Sequence, residues 1–323
     1  YIELTKSVDD LTEEVLADEN VQKQIKVLSE VTKSYMDSYW DRLKIVSDVN
    51  EIEPLKEEML TEIKKRLKQF KHVSTYDGYQ IIAELWENHL SEDTEKIAIS
   101  DFYTVGKTRE PNMVTKGSGK TKRIEQDGWV GAIVPNELIL KELYSEELID
   151  LESKKAALAA HNEEINELVE AAKVEESVEE AALGDALNAR EDDFTITAVR
   201  EELKKVEKGT DEHTLLEKVR KRLDERSTLN KEIREKDRAL AELAEDRIRN
   251  LTNEEIDQLM YKKWFGQLID DLTKLVQARL NNELDTLKEL KERYADTLET
   301  IEAESKPLEA QFEAMLQELV VTQ

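Results

Sequence analysis

LIDLESKKAALAAHNEEINELVEAA, residues Leu148–Ala172, sets the fold class. Leu151, Leu158 and Ile165 stand seven apart, and Leu148, Leu168, Val169 and Ala172 fill the same seam. A period near 3.5 keeps one helical face turned inward over such a length. Leu216 and Leu223, then Val219, Ile233 and Leu240, repeat the spacing downstream. From Leu138 to Gln323, 186 residues hold three glycines and one proline. The spacing predicts a helix over Leu138–Val174, which at roughly 1.5 Å per residue would span about 55 Å. Such an element is a lever or docking arm and a poor place for a catalytic cleft.

Working outward, the chain reads as mostly α in three zones. Residues 1–137 form a helical domain, 138–251 a long antiparallel helical hairpin, and 252–323 a C-terminal docking helix. In the first zone, Asp9 or Thr12 caps a helix carrying Leu11, Val15 and Leu16, and Val21, Ile25, Leu28, Val31 and Tyr35 continue a 3–4 spacing. Pro54 sits just inside a helix with Leu55, Met59, Ile63 and Leu67, where its missing N–H costs little. Asp77-Gly78 marks a turn or helix start before Tyr79, Ile82, Ala83 and Trp86. Ile97, Ile99, Phe102 and Tyr103 alternate like a short strand, answered by Ile124, Trp129, Ala132 and Val134. Between them a glycine-bearing loop (about 104–123) carries Lys107, Arg109, Lys116, Lys120, Lys122 and Arg123 against Glu110 alone. In the hairpin, Asn162–Asp193 holds twelve acids against Lys173 and Arg190 and reads as a solvated far end, with a small excursion through Phe194–Gly209. The last helix starts near Asn253 and runs on from Trp264, kinked or restarted at Pro307.

Composition excludes several classes. The net charge is −27, so the chain as a whole is repelled by nucleic acid and anionic membranes. Cysteine is absent, which removes disulfides and thiolate metal sites and is compatible with a reducing cytoplasm. No apolar run approaches the ~20 residues of a membrane span, and no signal peptide opens the sequence. The first residue is Tyr1, from which we expect a piece of a longer protein.

Chemical motifs fail one by one. Gly117-Ser118-Gly119-Lys120-Thr121 resembles a phosphate loop, but Val114 stands where G-x-x-x-x-G-K-[ST] needs glycine, and Asp101 spoils Gly106-Lys107-Thr108 in the same way. His72, His89, His161 and His213 are scattered, with no second histidine at helical ligand spacing. Acid pairs such as Glu163-Glu164 lie on solvated helix faces, and carboxylates are too many for any one pair to be singled out as catalytic. No catalytic, cofactor-binding or metal-binding residue is therefore assigned. Tyr35, Tyr39, Trp40, Tyr76, Tyr79, Trp86 and Trp129 suit the core of the first zone better than base stacking. Leu272, Leu275, Val276, Leu287, Leu290, Leu298, Ile301, Phe312 and Leu316 supply more apolar surface than the hairpin can cover, which marks a partner-binding face.

Three segments carry a family resemblance. Tyr76-Asp77-Gly78-Tyr79-Gln80 through Trp86 is similar to a "YDVYQ…YW" stretch, with Gly78 in place of the usual valine. Gly128-Trp129 followed by Val134-Pro135-Asn136-Glu137-Leu138-Ile139 is similar to "GW…IP-x-ELI". Leu251-Thr252-Asn253-Glu254-Glu255-Ile256, Lys263-Trp264 and Arg293-Tyr294-Ala295 are similar to "LTEEEI…KW…ERYA". In order and spacing they resemble the C-terminal part of the DNA-methyltransferase (modification) subunit of type I restriction–modification systems. The first fifty residues match less well, and the basic loop is an insertion without a counterpart.

The resemblance implies an adenine-N6 methyltransferase that uses S-adenosylmethionine and holds a flipped base with N-P-P-[FY]. That motif is absent: Asn112 follows Pro111 and Asn136 follows Pro135. The expectation is a non-catalytic, cofactor-free region beginning after the catalytic domain. Its partners would be the specificity subunit, the restriction subunit, and DNA only in the assembled complex. The basic residues Lys107, Arg109, Lys116, Lys120, Lys122 and Arg123 are candidate DNA contacts there. Two alternatives stay open: a coiled-coil scaffold that oligomerises through the Leu151/Leu158/Ile165 seam, and a complete small enzyme.

Overall fold

The computed structural model describes residues 8–70, 73–293 and 298–321, and it is mostly helical. Two compact units divide the chain: Tyr1–Asp101 with Tyr261–Gln323, and Phe102–Met260. The first unit is completed by residues from the far end of the chain.

In the first unit, α1 (Val8–Ala17) leads through Asp18 into α2 (Glu19–Lys44). Asp18 Oδ1 accepts from the Asn20 and Val21 amides at 2.8 and 3.3 Å, satisfying two otherwise orphaned N–H groups. Asp9 lies inside α1 rather than at its start. A buried stripe along α2 (Leu28, Tyr35, Met36, Tyr39 and Leu43) recurs at helical spacing, and Tyr35 Oη donates to the Met59 carbonyl at 3.1 Å. Met59 belongs to α3 (Ile52–Leu67), where Pro54 stands in the first turn. Ser74 caps α4 (Thr75–Leu85), which runs through a π-turn, Trp86–Leu90, into α5 (Ser91–Ile99). Ile97, expected in a strand, is buried on α5, while Ile99 faces solvent.

The second unit opens with α6 (Phe102–Gly106), again helix where a strand was expected. The only strands among the described residues are β1 (Arg109–Lys116) and β2 (Arg123–Gly131), an antiparallel ribbon with an irregularity between Pro111 and Met113. The expected basic loop is therefore most of a hairpin. Its turn uses Gly117 and Gly119 at φ +88° and +57°, conformations that disfavour other residues.

The helix predicted over Leu138–Val174 breaks at Tyr144 (φ −133°, ψ 40°) into α7 (Asn136–Leu143) and α8 (Ser145–Ala171). Helix α11 (Asp211–Arg249) returns antiparallel to α8. Leu151 clusters with Ile233 and Leu240, and half-buried Leu158 joins them; Ile165 clusters with Leu216 and Leu223. Ion pairs flank this seam: Lys154–Glu232 at 2.5 Å, Lys155–Asp237 at 3.5 Å, Arg222–Glu164 at 2.6 Å, and Lys236 with Asp150. The acidic far end is not merely solvated. Helices α9 (Val178–Leu183) and α10 (Ile196–Lys205) bury Ala182, Leu183, Phe194 and Val199 over Leu216 and Val219.

Helix α12 (Asn253–Phe265) is followed at once by α13 (Leu268–Arg293) and then α14 (Leu298–Val321). The single terminal helix expected from the sequence is broken after Phe265, where a Cβ on Gly266 would overlap the Lys262 carbonyl. Pro307 lies inside α14 without ending it, since the bonds on either side carry the helix past one missing N–H. No helix among the described residues is long and apolar enough to cross a membrane.

Candidate functional site

The terminal helices change character along their length. The first two-thirds of α13 is core: Leu268, Leu272, Val276 and Leu284 are buried, and Leu275 is half-buried. Leu272 and Val276 therefore leave the expected partner face, because they fill the space beside α1, α2 and α4. Beyond them Leu287 and Leu290 emerge to 42% and 40% exposure. On α14, Leu308, Phe312 and Met315 are 64%, 64% and 63% exposed. Their spacing of four and three places them on one helical face. Leu308 and Met315 were missed in the sequence, though both sit in register with Phe312. The side chains of Leu298, Ile301 and Leu316 lie outside the described residues. In sequence α14 holds Glu299, Glu302, Glu304, Glu309, Glu313 and Glu318 against Lys306 alone. The result is an acidic helix with an uncovered apolar stripe.

A cleft of about 390 Å³ opens beside the π-turn, lined by Glu84, Asn88, His89, Lys263, Trp264 and Asp271 among others. Behind it Asp93 is buried, accepting from Lys263 Nζ at 2.8 and 2.6 Å and from Trp264 Nε1 at 2.8 Å. Burial pushes the Asp93 carboxyl above its ordinary range, and the Lys263 ammonium pulls it back. Burial, then the Lys263 charge, lowers the pKa of His89. Glu84 and Asp271 are engaged by Gln80 and Lys274 at 3.0 Å each. No nucleophile meets a base here; the network pins α12 to α5. Sequence reading missed Asp93, because only the folded chain brings it to Lys263.

Compared with protein-family models, curated proteins and solved structures, this chain has no match.

The basic residues separate into two groups. Lys107 donates to Asn253 Oδ1 at 2.9 Å, and Arg109 lies 4.9 Å over the Trp129 ring with Asp246 3.7 Å away. These two are structural ties at the base of the ribbon. Lys116 pairs with Glu125 and Asp127 at 3.4 Å each, Arg123 with Glu125 at 3.1 Å, and Lys122 is exposed. The side chain of Lys120 lies outside the described residues. No group of three or more potential metal ligands occurs among the described residues, and His72 lies outside them.

Proposed function

We propose that this chain is the helical C-terminal region of an adenine-N6 DNA-methyltransferase subunit of the type I restriction–modification kind. In this reading α13 and α14 dock a specificity subunit and so position an upstream, S-adenosylmethionine-binding catalytic domain on DNA. The exposed row Leu308, Phe312 and Met315 on an acidic helix carries the reading, since an apolar stripe without a partner is unfavourable in water. Three resembling segments support it: one spans α4 and enters the π-turn, one leads from β2 into α7, and one opens α12 and runs on to Arg293, with Tyr294 and Ala295 outside the described residues.

Self-association through Leu151, Leu158 and Ile165 is disfavoured, because α11 of the same chain already fills that seam. Deleting Pro307–Gln323 tests the docking role by co-purification with a co-expressed specificity subunit. The expected outcome is loss of the partner with most helical circular dichroism retained. Normal co-purification refutes it.

A further inference from the structure

We propose that the β1–β2 ribbon is a nucleic-acid-binding arm whose outer half enters the major groove of duplex DNA. The proposal goes beyond the docking reading and does not rest on it.

The base of the ribbon is fixed. Ala132 N donates to the Thr108 carbonyl at 2.9 Å, and Asn136 Nδ2 donates to the Trp129 carbonyl at 2.8 Å. Gly128, at φ +76°, lets Glu245 of α11 approach where a Cβ would overlap its carboxylate. Arg109 is held between Trp129 and Asp246. The turn is closed as well: Thr121 N and Oγ1 both donate to the Ser118 carbonyl, at 3.1 and 2.7 Å. A recognition element fixed at both ends loses little conformational entropy on binding.

The outer half is open. From Met113 to Ile124 every described side chain is exposed except Val114, which is half-buried. Lys116, Lys120, Lys122 and Arg123 lie in this stretch with no acid among them, in a chain of net charge −27. Residues directly opposite on an antiparallel pair share a face. The pairs Thr115–Ile124 and Met113–Gln126 therefore make one face, while Lys116–Arg123 and Val114–Glu125 make the other. The first face combines two apolar side chains, 58% and 70% exposed, with a hydroxyl and an amide, and it carries no charge. That is the chemistry of base edges: apolar atoms meet the thymine methyl, and the Gln126 amide matches adenine N6 and N7 once its Nε2 leaves the Gly128 carbonyl, to which it donates at 3.2 Å. Two strands about 4.8 Å apart fit a groove about 12 Å wide. Lys116 and Arg123 stand on the second face, turned from the bases, and their long stems curl round the ribbon edges to the flanking phosphates. Glu125 and Asp127 neutralise part of that charge through exposed pairs, which phosphate displaces at little cost.

The absence of cysteine permits a direct test. In the full chain, Ile124→Cys introduces a single thiol, and Ile149→Cys, at 68% exposure on α8, is the control. Each is reacted at low salt with a short duplex bearing a disulfide-activated tether in its major groove. Covalent trapping records encounters that the net charge of −27 keeps weak at equilibrium. The Ile124→Cys protein should react at least about tenfold faster than the control. Changing Lys116, Lys120, Lys122 and Arg123 to Ala should flatten the slope of log rate against log salt by up to about 3.6. Equal rates at the two positions overturn the proposal. So does a fluorophore on Ile124→Cys that responds to phosphatidylserine vesicles without any duplex cross-link, which would assign the ribbon to a membrane surface.

Discussion

Tyr35, Tyr39 and Tyr261 keep their phenol protons well past the usual range. Burial pushes Tyr39 and Tyr261 up to about 12, helped by the Glu58 and Asp37 carboxylates beside them, and it drives Tyr35 well above 10.0. Unfolded tyrosines ionise near pH 10. A group whose folded pKa is raised contributes stability that is complete below the unfolded pKa and is lost as pH climbs through the folded one. The urea midpoint should therefore fall between pH 10 and 12. Tyr39→Phe together with Tyr261→Phe should flatten the fall, and an unchanged pH profile would contradict the assignment. Apolar spacing marked Tyr35 and Tyr39 as core, but it said nothing of Asp37 or Glu58. Gly78 likewise explains itself only in three dimensions: a side chain there would overlap Leu67 of α3.

At the scale of elements, the α8–α11 seam was legible because heptad spacing recurs over two long stretches of one chain, although the same spacing also suits pairing between chains. Leu216 is fully buried, whereas Leu158 is half-buried. Leu216→Ala should cost about 2–5 kcal/mol and Leu158→Ala clearly less. Urea unfolding of the two variants checks the order, and equal costs would mean the seam runs elsewhere. The ribbon was misread because short alternation at Ile97–Tyr103 fits helix and strand alike. Polar β1 offered no apolar alternation, so its strand character comes from pairing with β2 and the glycine turn. The break after Phe265 was hidden for a similar reason, since Leu268 and Leu272 resume the helical spacing at once.

At the scale of the molecule, charge and cysteine content were readable, but the division into units was not. A unit closed by residues from both ends of the chain leaves no local mark in composition. The terminal stripe was legible as surplus apolar spacing, and the structure divides it into a buried half around Leu272 and Val276 and an open half on α14. The most direct test of the docking role is the affinity of the full chain for a type I specificity subunit, with and without Leu308→Glu and Phe312→Glu. The account predicts at least about a hundredfold weaker binding for the double variant, roughly 2.8 kcal/mol, with circular dichroism and thermal midpoint unchanged. Equal affinity, or no binding by the parent chain, would contradict it.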